Sequence, residues 1–114
     1  MMEIRLWETS TGTSPVAEFI ENQEPKTRAK IVRNVKHLED QGMALLLSDK
    51  VEKMRGHDGL YELRTRYNGM IYRILFTTFD SMIWFLHAFV KKTQKTPSGE
   101  ITIAMQRRRE VIRQ

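Results

Sequence analysis

Three arginines stand in the stretch Gly59–Phe76, GLYELRTRYNGMIYRILF, among residues that alternate as paired strands do. Arg64, Arg66 and Arg73 each carry a planar fork of N–H donors that matches a phosphate group, and none gives up its proton at working pH. Such residues can hold an anion or stabilise developing negative charge, but they cannot act as bases. Proton transfer would need another group. Glu62, His57 and His87 are of the right types, a carboxylate and two imidazoles that titrate near neutrality.

Alternation puts Leu60, Glu62, Arg64 and Arg66 on one side of a strand, and Tyr61, Leu63, Thr65 and Tyr67 on the other. Asn68–Gly69 is a strong hairpin signal. Pairing across it sets Arg64 or Arg66 beside Arg73. Like charges that face each other on a sheet are destabilising unless a carboxylate or a bound anion joins them. Two readings stay open at this point: Glu62 bridging the arginines on a solvated face, or an electropositive concavity that takes a phosphate. His87 shares a strand side with Phe85 and Phe89 in simple alternation, which favours a packed histidine over a catalytic one. His57 falls in a loop and His37 on a helix.

Lys91, Lys92 and Lys95 follow the third of the strands and form either a solvated basic loop or a cationic rim beside the sheet. No metal-ligand spacing joins the three histidines, and no glycine-rich phosphate loop or nucleophile elbow is present, so neither metal nor cofactor is expected. The chain has no cysteine, which excludes disulfides and thiolate metal sites. Its net charge of +5 suits a polyanionic or acidic partner. No apolar run is long enough to cross a bilayer, and MMEIRLWETS lacks the layout of a signal peptide. A cytoplasmic protein is expected.

The 114 residues make one domain, 1–114. EIRLWE alternates as a short strand. Ser14 followed by Pro15 starts a short helix, and a longer one runs from about Pro25 to Gln41, with Ile31, Val35 and Leu38 on one face and Gly42 as its stop. The stretch from Met43 to Gly59 reads as a turn of helix and a connecting strand. Residues 60–67, 70–78 and 82–90 read as an antiparallel meander. Thr96 before Pro97 starts a last helix that runs to about Ile112. The expected architecture is α+β: helices on one side of a mostly antiparallel sheet, with an N-terminal helical hairpin and a C-terminal helix.

The order LYELR, YRI, LHAFVKKTQKTP, EI, A between Gly59 and Ala104 resembles the HigB-like branch of the RelE/ParE toxin superfamily, including phage-derived Gp49-like proteins. The resemblance implies a RelE-like fold and the toxin of a type II toxin–antitoxin pair. It further implies a metal-independent mRNA endonuclease that acts on messages at the ribosome, through attack of a ribose 2′-hydroxyl on the adjacent phosphorus to leave a cyclic phosphate. The implied partner is a helix-turn-helix, HigA-like antitoxin, in a complex that can be heterotetrameric. Carried onto this chain, the family pattern makes Arg64 and Arg73 charge-stabilising residues, Glu62 the first candidate for base with His87 second, and Lys92 an aid to the leaving oxygen. Lys91, Lys95, Arg66 and His87 would contact RNA. Here Glu62 stands where some relatives have a lysine, and the terminal tyrosine that some members use has no counterpart, since the last tyrosine is Tyr72. A second reading is a non-enzymatic, ParE-like toxin that poisons a protein such as DNA gyrase. A third is a nucleic-acid-binding module without chemistry, suggested by the basic segment MQRRREVIRQ.

Overall fold

The computed structural model describes residues 1–93 and 95–113. It contains β1 (Glu3–Leu6), α1 (Pro15–Glu21), α2 (Pro25–Gln41), a 3-10 turn (Gly42–Leu47), β2 (Val51–Lys53), β3 (Tyr61–Tyr67), β4 (Met70–Phe79), β5 (Met82–Lys91) and α3 (Ser98–Ile112). The strands form one sheet in the order β1-β5-β4-β3-β2. Every pair is antiparallel except β1 with β5, which is parallel. The α+β class and the mostly antiparallel sheet agree with the sequence reading.

Local chemistry accounts for the turns. Tyr67 pairs with Met70, so Asn68 and Gly69 are the whole β3–β4 loop, and both take positive φ, 55° and 78°. That is the backbone a two-residue hairpin needs, and Asn and Gly tolerate it best. Asp80 and Ser81 close β4 to β5 in the same way, with φ of 55° and 64°. Ser14 caps α1 by accepting from the Ala17 N–H at 3.2 Å, with Pro15 first in the helix.

The helices do not all lie on one side of the sheet. α1 and α2 cover one face, where Val16, Ile31 and Leu38 pack with Leu63, Ile74, Phe76, Ile83 and Phe85. α3 covers the opposite face, where Ala104 and Val111 pack with Leu60, Leu75, Leu86 and Phe89. The strands are therefore buried on both faces at their centre, and this is why β4 reads MIYRILFTTF rather than as a strict alternation. Burying both faces also explains how a charged residue there can be removed from water.

A bulge interrupts β5. Leu75 pairs with His87, but Phe76 pairs with Phe85, which leaves Leu86 as an extra residue. Its carbonyl accepts from Arg107 Nη1 at 2.9 Å. Arg107 in turn lies over the Trp7 ring, 4.3 Å from its centroid. The bulge reverses the expected facing of Phe85. His87 shares the α3 face with Phe89, on which it stacks at 5.7 Å, whereas Phe85 lies in the other core.

Candidate functional site

Arg64 and Arg73 are direct partners across β3 and β4, and Glu62 and Glu52 are direct partners across β3 and β2. Each pairing alone sets like charge against like. The side chains interleave instead. Arg64 donates through Nε to Glu62 Oε1 at 2.7 Å and through Nη1 to Glu52 Oε2 at 2.6 Å. Arg73 Nη1 donates to the same Glu62 oxygen at 3.1 Å. The result is an alternating row, Glu52–Arg64–Glu62–Arg73, on the α3 face of the sheet.

The inner end of the row is dry. Glu62 and Arg73 are both 0% exposed. A buried carboxylate or guanidinium is costly unless paired and hydrogen-bonded, and the segment after β5 provides the partners. Thr96 Oγ1 donates to Glu62 Oε2 at 2.5 Å and lies 3.1 Å from Arg73 Nη1. Arg73 Nη2 donates to the Thr93 carbonyl. Thr96 was expected to start α3; α3 instead begins at Ser98 behind Pro97, and the Thr96 hydroxyl is used in the buried network. This threonine is a residue that sequence reasoning missed, because its partners lie 23 and 34 positions away in the chain.

The expected arginine pair is thus divided by burial. Arg73 is enclosed, while the Arg64 side chain retains 12% exposure at the sheet edge. Burial by itself weakens Arg64's hold on its proton, but the adjoining Glu62 and then Glu52 outweigh it and raise the pKa above the usual arginine value. Arg64 is therefore a permanent cation. Glu62 bridges the arginines, as one of the two sequence readings had it, but in the interior rather than on a solvated face.

The remaining candidates spread around this row. Lys91, Lys92 and Lys95 are exposed, and Lys91 pairs with Ile71 two residues along β4 from Arg73. Because Thr93 and Thr96 are tied to Arg73 and Glu62, the lysines are carried on a segment anchored to the buried pair. Arg66 is half exposed and lies 3.8 Å from the Asp49 carboxylate. His87 contacts Glu100 through Nε2 at 2.8 Å and Arg107 through Nδ1 at 3.4 Å, with 14% side-chain exposure. It lies between two elements of the fold. His57 lines a small apolar depression beside α3, and His37 accepts from Lys50 at 2.8 Å, since an ammonium can only donate.

Residues from α2 also reach the edge of β3. Asn34 Nδ2 donates to the Arg64 carbonyl at 3.2 Å and to Thr65 Oγ1 at 2.9 Å. Lys30, Arg33 and Lys50 join Arg64 and Arg66 around a cavity of about 310 Å³. The sequence marks Lys30 and Arg33 only as lying mostly off the apolar stripe of α2. Nothing in one sequence tells that this flank meets the end of β3.

A small basic α+β domain with a buried carboxylate–guanidinium pair and a cationic edge is the class this geometry defines. The sequence model of the phage-derived protein Gp49-like family matches residues 18–109, and the chain belongs to that family. Membership is consistent, at a coarse level, with the toxin of a toxin–antitoxin pair. No curated protein matches the chain significantly. Among the described residues no helix is long and apolar enough to cross a membrane.

Proposed function

We propose that this protein is the toxin of a type II toxin–antitoxin system and a metal-independent mRNA endonuclease, active in the cytoplasm on messages at the ribosome and neutralised by a HigA-like helix-turn-helix antitoxin. The observation that carries the reading is Arg64: a permanent cation oriented by two carboxylates at 2.6 and 2.7 Å on a rigid strand, beside a lysine-bearing segment. Rigid support is what a charge-stabilising group requires.

In the reaction, the 2′-oxygen forms a bond to the adjacent phosphorus, the bond from phosphorus to the 5′-oxygen breaks, and the products are a 2′,3′-cyclic phosphate and a free 5′-hydroxyl. Negative charge builds on the non-bridging oxygens, where Arg64 acts. Lys92 gives a proton to the departing 5′-oxygen. Arg73 acts as a positioning residue: it does not reach solvent, and it holds Glu62, the partner of Arg64, together with Thr93 and Thr96. The 2′-hydroxyl proton goes to Glu62; in the resting arrangement the Thr96 hydroxyl occupies Oε2, so Thr96 turns away before the proton is taken.

The test is to induce the protein briefly in cells and map RNA ends, with Arg64→Ala and Lys92→Ala as variants. New ends within messages for the wild type, and a loss of at least roughly a hundredfold for Arg64→Ala, are expected from removal of one charge-stabilising donor. Intact mRNA with DNA-damage signalling would support the alternative, a ParE-like toxin acting on DNA gyrase. Equal cleavage by wild type and Arg64→Ala would remove the site assignment.

A further inference from the structure

The cavity at Lys30, Arg33, Lys50, Arg64 and Arg66 is not isolated. Lys30 and Arg33 also line a second cavity of about 250 Å³ together with Lys26 and Tyr67. Lys26 and Tyr67 line a third, of about 770 Å³, together with Tyr72 and Asn68. Shared residues make the three depressions one groove, running between α2 and the β3–β4 hairpin from the sheet edge to the hairpin tip. It lies on the α1/α2 side of the sheet, opposite the face that holds Glu62, Arg73 and His87.

The lining has a definite chemistry. Lys26, Lys30, Arg33 and Lys50 face it, with Arg64 and Arg66 bordering its end at the sheet edge, against the carboxylates Asp49 and Glu24. Two tyrosines, both half-buried, interrupt the row of cations. Lys30 Nζ lies 5.3 Å from the centre of the Tyr67 ring, so charge and aromatic surface are offered together. Successive turns of α2 place Lys26, Lys30 and Arg33 along one flank at spacings of four and three residues. A cationic track with interleaved aromatic rings is the arrangement that binds single-stranded nucleic acid without reading its sequence, phosphates following the cations and bases stacking on the rings. An acidic protein segment would use the cations but leave the tyrosines without a role.

We infer that this groove is a binding track for single-stranded RNA, distinct from the site proposed for cleavage and meeting it at Arg64. Strand contact here would present the following phosphate at the end of β3. Binding in the groove does not require the cleavage chemistry, and the two can be tested apart.

The experiment uses the full-length chain and a fluorescein-labelled 2′-O-methyl oligouridylate, which has no free 2′-hydroxyl and cannot be cleaved by the proposed route. Anisotropy titrations at several salt concentrations compare wild type with Lys26→Gln/Lys30→Gln/Arg33→Gln, whose three side chains are exposed. The triple variant should bind about tenfold or more weakly, and its slope of log K against log salt should fall by about 2, three phosphate contacts being lost at roughly 0.7 each. Tyr67→Leu should weaken binding with the slope unchanged, since stacking releases no counterions. Arg5→Gln, which removes an exposed cation on β1 at the far edge of the sheet, should retain groove binding. Unchanged affinity and slope in the Lys26/Lys30/Arg33 variant, with its thermal midpoint preserved, overturns the inference. So does tighter binding of polyglutamate than of the oligouridylate, which would make the groove a docking surface for an acidic partner.

Discussion

Arg64 and Arg73 have the same side chain and are register partners, yet burial gives them different work. Arg73 has no exposed surface and is tied to Glu62, Thr93 and Thr96. Its replacement by Ala leaves the buried Glu62 carboxylate without the one of its two countercharges that is itself fully buried, and should destabilise the fold by about 3–5 kcal/mol in urea unfolding. Removing both charges, as Glu62→Leu/Arg73→Met, should cost much less than the two single changes added together, because neither partner is left stranded. Arg64→Lys keeps one charge but gives up the fork that spans Glu62 and Glu52. It should retain most of the stability and lose most of the cleavage, as read by RNA-end mapping and thermal denaturation of the same preparation. Arg64 stays protonated throughout the working range, so any pH dependence of cleavage near neutrality must come from another group.

Two elements control whether the site is assembled. The segment after β5 is pinned by the Thr96 hydroxyl, a donor to Glu62. Thr96→Val keeps the shape of the side chain and leaves a buried carboxylate oxygen unsatisfied, at a cost of about 1–3 kcal/mol. Hydrogen exchange at Lys92 and Thr93 should rise more than in α2 or β4. α3 is held against the sheet at its other end by Arg108, which donates to Thr77 Oγ1 at 3.0 Å, while Thr77 donates to the Gly59 carbonyl at 2.6 Å. Gly59 has a φ of 78°, and a Cβ there would come within 2.5 Å of the Arg108 guanidinium. Gly59→Ala should therefore displace Arg108 and strain the backbone, costing about 1–3 kcal/mol in chemical denaturation. The strands and the Asn68–Gly69 turn are legible in the sequence, since that dipeptide and the β-rich runs act locally. The bulge at Leu86 is not. It depends on Arg107, 21 positions away, being present to satisfy the freed carbonyl.

At the scale of the whole molecule, the sheet is a layer between two unlike covers. Removal of residues 98–114 would expose Leu60, Leu75, Leu86 and Phe89, a continuous apolar surface. The truncated chain should be insoluble, or molten by near-ultraviolet circular dichroism, whereas a change confined to the exposed lysines should leave the fold unaltered. The two covers also separate two basic regions, one following β5 and one along α2. Net charge alone announces an anionic partner and does not divide the charge between faces.

The sequence by itself determined the α+β class, the meander and its hairpins, the boundaries of the long helix and the residues that resemble the toxin family, because these rest on local periodicity and turn chemistry. Only the tertiary structure decided that α3 lies across the sheet from α1 and α2, that Glu62 and Arg73 are sealed beneath Thr96, and that Arg64 alone of its pair reaches the edge. The physical reason is that burial of a charge depends on partners brought together from distant parts of the chain. In one sequence, the same arginine fits a solvated face, a phosphate site or an interior ion pair.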